Sequence, residues 1–175
     1  MTELDAAHYS AVESLRDGRS VEIRALRPED RGDLVAAVGR VSAQSLYRRF
    51  FSAKRNFSEQ ETSFFVDIDF VGHVALVAVL EGESRHTIVA GGRYIVTAPG
   101  QAEVAFVVVD AYQGQGLGSA LLRHLTAIAR SAGLRELTAD VLAENAAMLG
   151  VFNKSGLPLR TTRERSTVHI VLQLT

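Results

Sequence analysis

The sequence predicts an α/β protein with a mixed, mostly antiparallel sheet of six to seven strands flanked by helices. Three observations carry that expectation. First, the β-rich runs 74–80 and 87–96 are divided only by the polar turn Glu81-Gly82-Glu83, as in a hairpin. Second, Val104-Ala105-Phe106-Val107-Val108-Val109 is apolar throughout, as in a strand covered on both faces. Third, that strand leads through a helical stretch into another strand, Leu137 to Val141, in the order of a βαβ crossover.

The elements follow in order. Residues 1–19 read as an N-terminal arm, helical by the spacing of Leu4, Val12 and Leu15 and ended by Gly18. Residues 20–175 read as a single domain. Val21 to Leu26 alternates as a strand. Pro28 then opens a helix, with Glu29 and Asp30 at the positive end of its dipole. Leu34, Val35, Val38 and Val41 form its apolar stripe. A short helix is expected over 44–51, and Ser58 with Glu61 makes a capping box for a third helix ending near Val66. Pro99-Gly100 marks a turn. A helix is expected from Gly116 to Ala132, with Leu121, Leu125 and Ile128 inward and Gly133 ending it. Asn145 is placed to cap a helix reaching Ser155, after which Gly156 suits a left-handed C-cap. Val168 to Leu174 alternates as the last strand, with one further strand possible before it.

Composition narrows the function classes. The 175 residues are 47% hydrophobic and 22% charged, the balance of a soluble globular chain. Nineteen basic against twenty acidic residues give a net charge of −1, which argues against general nucleic-acid binding. The chain has no cysteine, which excludes disulfides, thiolate metal ligands and an acyl-cysteine intermediate. No apolar run is long enough to cross a membrane, and no signal peptide is legible, so a cytoplasmic protein is expected.

The segment that carries chemistry is Glu103 to Ser119, in which an apolar strand runs into Gln113-Gly114-Gln115-Gly116-Leu117-Gly118 and then into a helix. A helix start exposes about four unpaired amides and partial positive charge. Phosphate oxygens accept those bonds, and glycines let the backbone approach without a Cβ in the way. A dinucleotide fingerprint fits poorly, because Ser119 stands at the third glycine position and four residues separate the apolar strand from the first glycine.

Gln113-x-x-Gly116-x-Gly118, after an apolar strand that begins with an acid, resembles the acyl-CoA-binding signature of the GNAT superfamily of N-acyltransferases. Asn145-x-x-Met148-Leu149-x-x-Phe152-x-x-x-Gly156-Leu157 resembles that family's C-terminal helix, and the element order agrees over about residues 20–174. Three shorter stretches, Ile23 to Asp30, Ser45 to Phe51, and Glu144-Asn145 with Met148-Leu149, look like the acetyltransferase domain of bacterial protein-lysine acetyltransferases.

The resemblance implies a GNAT-like sheet, acetyl-CoA as cosubstrate, no metal, and transfer of the acetyl group to an amine, foremost a protein lysine. It implies that Val107, Val108 and Val109 border the pantetheine, with backbone groups of Val107 and Val109 pairing with its amides. It implies that Gln113, Gly114, Gln115, Gly116, Leu117, Gly118 and Ser119 hold the pyrophosphate. Asn145 and Phe152, two helical turns apart, would face the pantetheine and thioester. A lysine amine has a pKa of about 10.4, so a base must take its proton. By the family pattern Glu103 is that base, on the strand face of Ala105 and Val107, with a raised pKa if its carboxylate is partly desolvated at the strand edge; the alternative is a strand-end glutamate facing water. Many family members carry a tyrosine where this chain has Phe152, to protonate the departing thiolate. Phenylalanine cannot, which leaves Tyr112, Tyr94 or water. With no cysteine, direct transfer in a ternary complex is the consistent mechanism. A small-molecule amine acceptor and a non-catalytic CoA sensor remain alternatives, and the sequence leaves the oligomeric state open.

Other signals read as ordinary surface. His8, His73, His86, His124 and His169 share no ligand spacing. The basic cluster Arg48-Arg49 with Lys54-Arg55 reads as a solvated helix face.

Overall fold

Eight strands form one sheet in the order β1-β2-β3-β4-β5-β6-β8-β7. The structure, a computed structural model, describes residues 4–50, 57–81 and 86–175. The strands are β1 (Ser10–Ser14), β2 (Ser20–Ala25), β3 (His73–Glu81), β4 (His86–Ala98), β5 (Gln101–Val108), β6 (Glu136–Leu142), β7 (Leu159–Glu164) and β8 (Thr167–Gln173). The helices are α1 (Arg31–Gly39), α2 (Ala43–Phe50), α3 (Glu59–Val66), α4 (Leu117–Ser131) and α5 (Ala146–Asn153). All pairings are antiparallel except β5 with β6. Eight strands exceed the expected six to seven because both β1 and β7 join the sheet at its edges. Among the described residues, no helix is long and apolar enough to cross a membrane.

The N-terminal arm departs from the expected helix. After one 3-10 turn at Ala6–His8 it forms β1, paired with β2 from Ser10↔Arg24 to Ser14↔Ser20. Only Leu15 of its presumed apolar face is buried, while Val12 is 71% exposed, so the 3.6-residue spacing was coincidental. Side chains fix the strand instead. His124 of α4 bonds both the Tyr9 hydroxyl (2.5 Å) and the Glu13 carboxylate (2.6 Å).

The sheet is covered on both faces. On one, α4 lays Leu121, Leu125 and Ile128 against Leu76, Val104 and Phe106. On the other, Ala37, Val41 and Leu46 of the α1–α2 region meet Val77, Val79 and Val109. The expected capping box forms at Ser58 and Glu61, with bonds of 3.1 and 3.2 Å. The turn after Glu81, and with it Lys54 and Arg55, lies outside the described residues.

The β2–α1 corner is locked by an ion pair. Arg24 donates two bonds to Asp30, at 2.7 and 2.8 Å, and the Arg27 amide adds a third at 2.7 Å. Both Arg24 and Asp30 are buried. Burial works against the Asp30 carboxylate, but Arg24 and the Arg27 amide outweigh it and hold its pKa below the usual range.

Candidate active site

The β5–β6 ladder is short. It runs in parallel from Gln101↔Glu136 to Glu103↔Thr138 and ends there, although both strands continue. Beyond that point they splay, and a cleft of about 380 Å³ opens between them. Its walls are Val104 to Val108 of β5, Ala139 to Val141 of β6, the glycine loop, and one side of α5. Strand geometry decides which backbone groups face the gap. Val109 donates to the directly opposite Val89 carbonyl at 2.9 Å, so by alternation Val107 also turns its amide and carbonyl toward β4. The groups of Phe106 and Val108 point the other way, into the cleft. The Val108 carbonyl accepts from Gln113 Nε2 at 3.2 Å. The backbone groups that face the cleft are therefore those of Phe106 and Val108, whereas those of Val107 and Val109, expected to face it, turn toward β4.

The glycine loop closes one end. Gly114 (φ +78°) and Gly116 (φ +91°) adopt left-handed backbone, and a Cβ on either would meet nothing within 4 Å. Conformation and open space, rather than packing, call for glycine at both. Gly116 caps α4 without a side-chain bond, which leaves the amides of Leu117, Gly118 and Ser119 uncapped at the positive end of the helix. That cradle suits a diphosphate. The loop is braced from two sides. Gln113 also donates to Ser45 of α2 (3.2 Å), while Arg16 in the β1–β2 turn donates to the Gly114 carbonyl (3.0 Å).

Of the residues expected to bind the cosubstrate, Val107, Val108, Gln113, Gly114, Gly116, Leu117, Gly118, Ser119, Asn145 and Phe152 all line the cleft. Two do not. The Val109 side chain is buried in the α1–α2 core, and Gln115 turns aside to accept from the Asp17 amide at 3.2 Å. Asn145 caps α5 by accepting from the Met148 amide at 3.2 Å. Phe152 is 1% exposed, its ring 6.1 Å from that of Phe106. Tyr112 lines the cleft, whereas Tyr94 is buried in the core and lines none of it. Glu103 stands at the last rung before the strands part, and it is solvent-exposed rather than desolvated.

Sequence reasoning missed several lining residues. Arg16, Arg48, Arg49 and Lys154 bring positive charge to the cleft. Arg48 bonds Glu144 at 3.0 Å across the mouth, joining α2 to the loop before α5. Arg49 lies between the helices and β5. Burial pushes its guanidinium down while the Glu103 charge pulls it back up. The solvated-face reading is thus corrected for Arg49, while Arg48 stays partly exposed at the mouth. The signal available was their position three and four residues after Ser45, one turn along the same helix.

Residues 37–157 match the family model described as the acetyltransferase (GNAT) family. An acetyltransferase of Pseudomonas aeruginosa is 37% identical over 138 residues, which cover 78% of this chain and 74% of that protein. The chain belongs to the GNAT family. It is an acetyl-CoA-dependent N-acetyltransferase, and as in other GNAT enzymes the acceptor is an amine. The acetyltransferase Pat of Mycolicibacterium smegmatis is 29% identical over 144 residues, covering 81% of this chain but only 42% of Pat. Among solved structures, the GNAT domain of S. lividans PAT superposes with a TM-score of 0.85 at 35% identity, covering 94% of this chain and 96% of that one. A Salmonella typhimurium protein, yncA, solved with its cofactor acetyl-CoA, shares the fold (TM-score 0.67, 18% identity, 87% of this chain and 92% of that one). The cleft of this GNAT chain fits that cosubstrate: uncapped amides for the diphosphate, and outward-facing strand groups for an amide-bearing arm.

Proposed function

We propose that this GNAT enzyme acetylates a protein lysine by direct transfer, with Glu103 as general base. The observation that carries the reading is the β5–β6 splay with the glycine loop at its end. The β5 edge offers Phe106 and Val108 to the pantetheine, and the amides of Leu117, Gly118 and Ser119 receive the pyrophosphate. The lysine nitrogen then attacks the thioester carbon as the carbon–sulfur bond breaks, and the proton leaves the amine for Glu103. An exposed carboxylate can take that proton directly or through one water. The thiolate needs little help in leaving, since a thiol pKa of about 8.5 makes it a tolerable anion. Tyr112, in the cleft, is the side chain left to protonate it, with Phe152 serving as an apolar wall.

Support for a protein acceptor is the likeness of residues 23–30 and 45–51 to protein-lysine acetyltransferases, together with the similarity to Pat. The test is thiol release from acetyl-CoA with a panel of lysine-bearing proteins, read alongside mass spectrometry of the acceptors. Glu103→Gln should slow turnover by about 10²–10³-fold with acetyl-CoA affinity unchanged. Unaltered turnover would remove Glu103 as the base.

A further inference from the structure

A second hollow, of about 360 Å³, opens on the α1–α2–α3 side of the sheet. Leu34, Val38, Leu46, Phe65 and Ile88 give it a largely apolar wall, into which two arginines are set, Arg49 and Arg93. It joins the acyl-CoA cleft, because Arg49, Ala105 and Val107 line both.

Arg93 is the unusual member. Its Nη1 donates to the Phe65 carbonyl (3.1 Å) and to His73 Nε2 (2.9 Å), and its guanidinium lies over the Phe65 ring at 4.7 Å. Both bonds use Nη1, leaving Nε and Nη2 for a bidentate partner. Among the described residues no carboxylate pairs with it. A guanidinium in apolar surroundings is normally matched by an anion. Here the neighbouring charge is another cation. Burial, and then Arg49, push Arg93 down to about 9. An anion seated beside it would relieve both effects.

Among the described residues of the neighbouring strands, the acid close by in the register is Glu103. Arg93 faces Ala105 across the β4–β5 ladder, two residues along the same strand face from Glu103. Diagonal positions of this kind stand about 7–8 Å apart. The face thus presents a carboxylate where the amine must lose its proton, and an unmatched guanidinium one diagonal step away.

We propose that Arg93 receives a carboxylate on the acceptor, so that the acceptor is an amine on an apolar body with a carboxylate within a few bonds. Two sources share that chemistry: a free apolar amino acid, and a peptide lysine beside an acidic residue. The proposal rests on the acetyl-transfer reading above and specifies its acceptor.

Paired acceptors test it at saturating acetyl-CoA: leucine and phenylalanine against their C-terminal amides, and hexapeptides with a central lysine flanked by Glu against the same peptides with Gln. In at least one pair, kcat/KM for the carboxylate member should exceed that of the neutral member tenfold or more. The pair that responds identifies the source. Arg93→Gln should abolish the difference, with KM for acetyl-CoA unchanged. Equal rates within both pairs, or a preference that survives Arg93→Gln, would overturn the proposal. Should Arg93→Gln not fold, Arg93→Lys, which keeps the charge but loses the fork, should cut the preference at least threefold. An unchanged preference there would count against it equally. If no acceptor turns over at all, the acetyl-transfer reading fails separately. The carboxylate receptor is then decided by calorimetry with N-acetyl-leucine and N-acetyl-leucinamide: at least tenfold tighter binding of the acid supports it, and equal affinity ends it.

Discussion

At Gly116 conformation and ligand space coincide. Its φ of +91° strains any residue with a Cβ, at roughly 1–2 kcal/mol. No protein atom lies within 4 Å of where that Cβ would sit, so the fold itself has room for it. A β-branched replacement would instead fill the space in front of the α4 amides. Gly116→Val should therefore raise the dissociation constant of acetyl-CoA by tenfold or more, while the protein still unfolds cooperatively a few degrees lower. Calorimetric titration with a parallel melting curve checks both halves. Gly118 would behave differently. Its Cβ would press on Val151 at 3.2 Å, so the damage there is to the α4–α5 contact. His73 offers a second residue-scale test. Burial, and then the adjacent Arg93 charge, push it down to about 4 from an ordinary 6.5. The folded state thus resists a proton that the unfolded chain accepts. Stability should fall as pH drops from about 6.5 toward 4, and the His73 contribution should be flat above that window. Urea midpoints across the range should show the decline, and His73→Gln, which keeps an acceptor for Arg93, should flatten it.

Among the elements, the β2–α1 corner shows how a stretch noticed only for its likeness acquires a physical role. Residues 23–30 looked like part of a signature, yet the residues they contribute to the fold are a buried, doubly bonded Arg24–Asp30 pair. Removing one partner strands the other charge in the interior. Asp30→Ala should destabilise the protein by about 3–5 kcal/mol, measured by denaturant unfolding. The pair says little about net stability, since an apolar pair of equal volume can do as well. It does fix the angle at which α1 leaves the sheet, and so one wall of the second hollow. Elements with strong local signals were legible in the sequence: the Ser58–Glu61 box, the Asn145 cap, and the apolar β5 run. Elements whose partner is remote were not. β1 is a five-residue edge strand with an exposed Val12, and its anchors, Tyr9 and Glu13, reach a histidine more than a hundred residues away. β7 is likewise exposed along nearly its whole length, so no alternation marked it.

For the whole molecule, the same contrast separates the halves of the site. The cosubstrate half lies on one continuous strand–loop–helix unit and could be read along the chain, apart from the backbone phase of β5, which depends on its register with β4. The proposed acceptor half is assembled from α1, α2, α3 and β4, and Arg49 and Arg93 come to line one hollow only in three dimensions. The cleft also crosses the chain: β5, β6, α2, α4 and α5 all contribute walls, and the β1–β2 turn supports the loop through Arg16. A ligand seated there ties elements from opposite ends of the sequence, so binding should appear as global stabilisation. At about 100 times its dissociation constant acetyl-CoA should add about 2.7 kcal/mol. For a chain of this length that corresponds to a rise in Tm of about 5–10 °C. NAD has a diphosphate but no pantetheine arm to lie along Phe106 and Val108, and should give no comparable shift. A shift with NAD and none with acetyl-CoA would mean that the splayed strands do not receive the arm. Arg16→Ala separates the brace from the cradle: the acetyl-CoA shift should shrink while the melting temperature of the free protein stays within a degree or two, because the lost bond holds a loop and no part of the core.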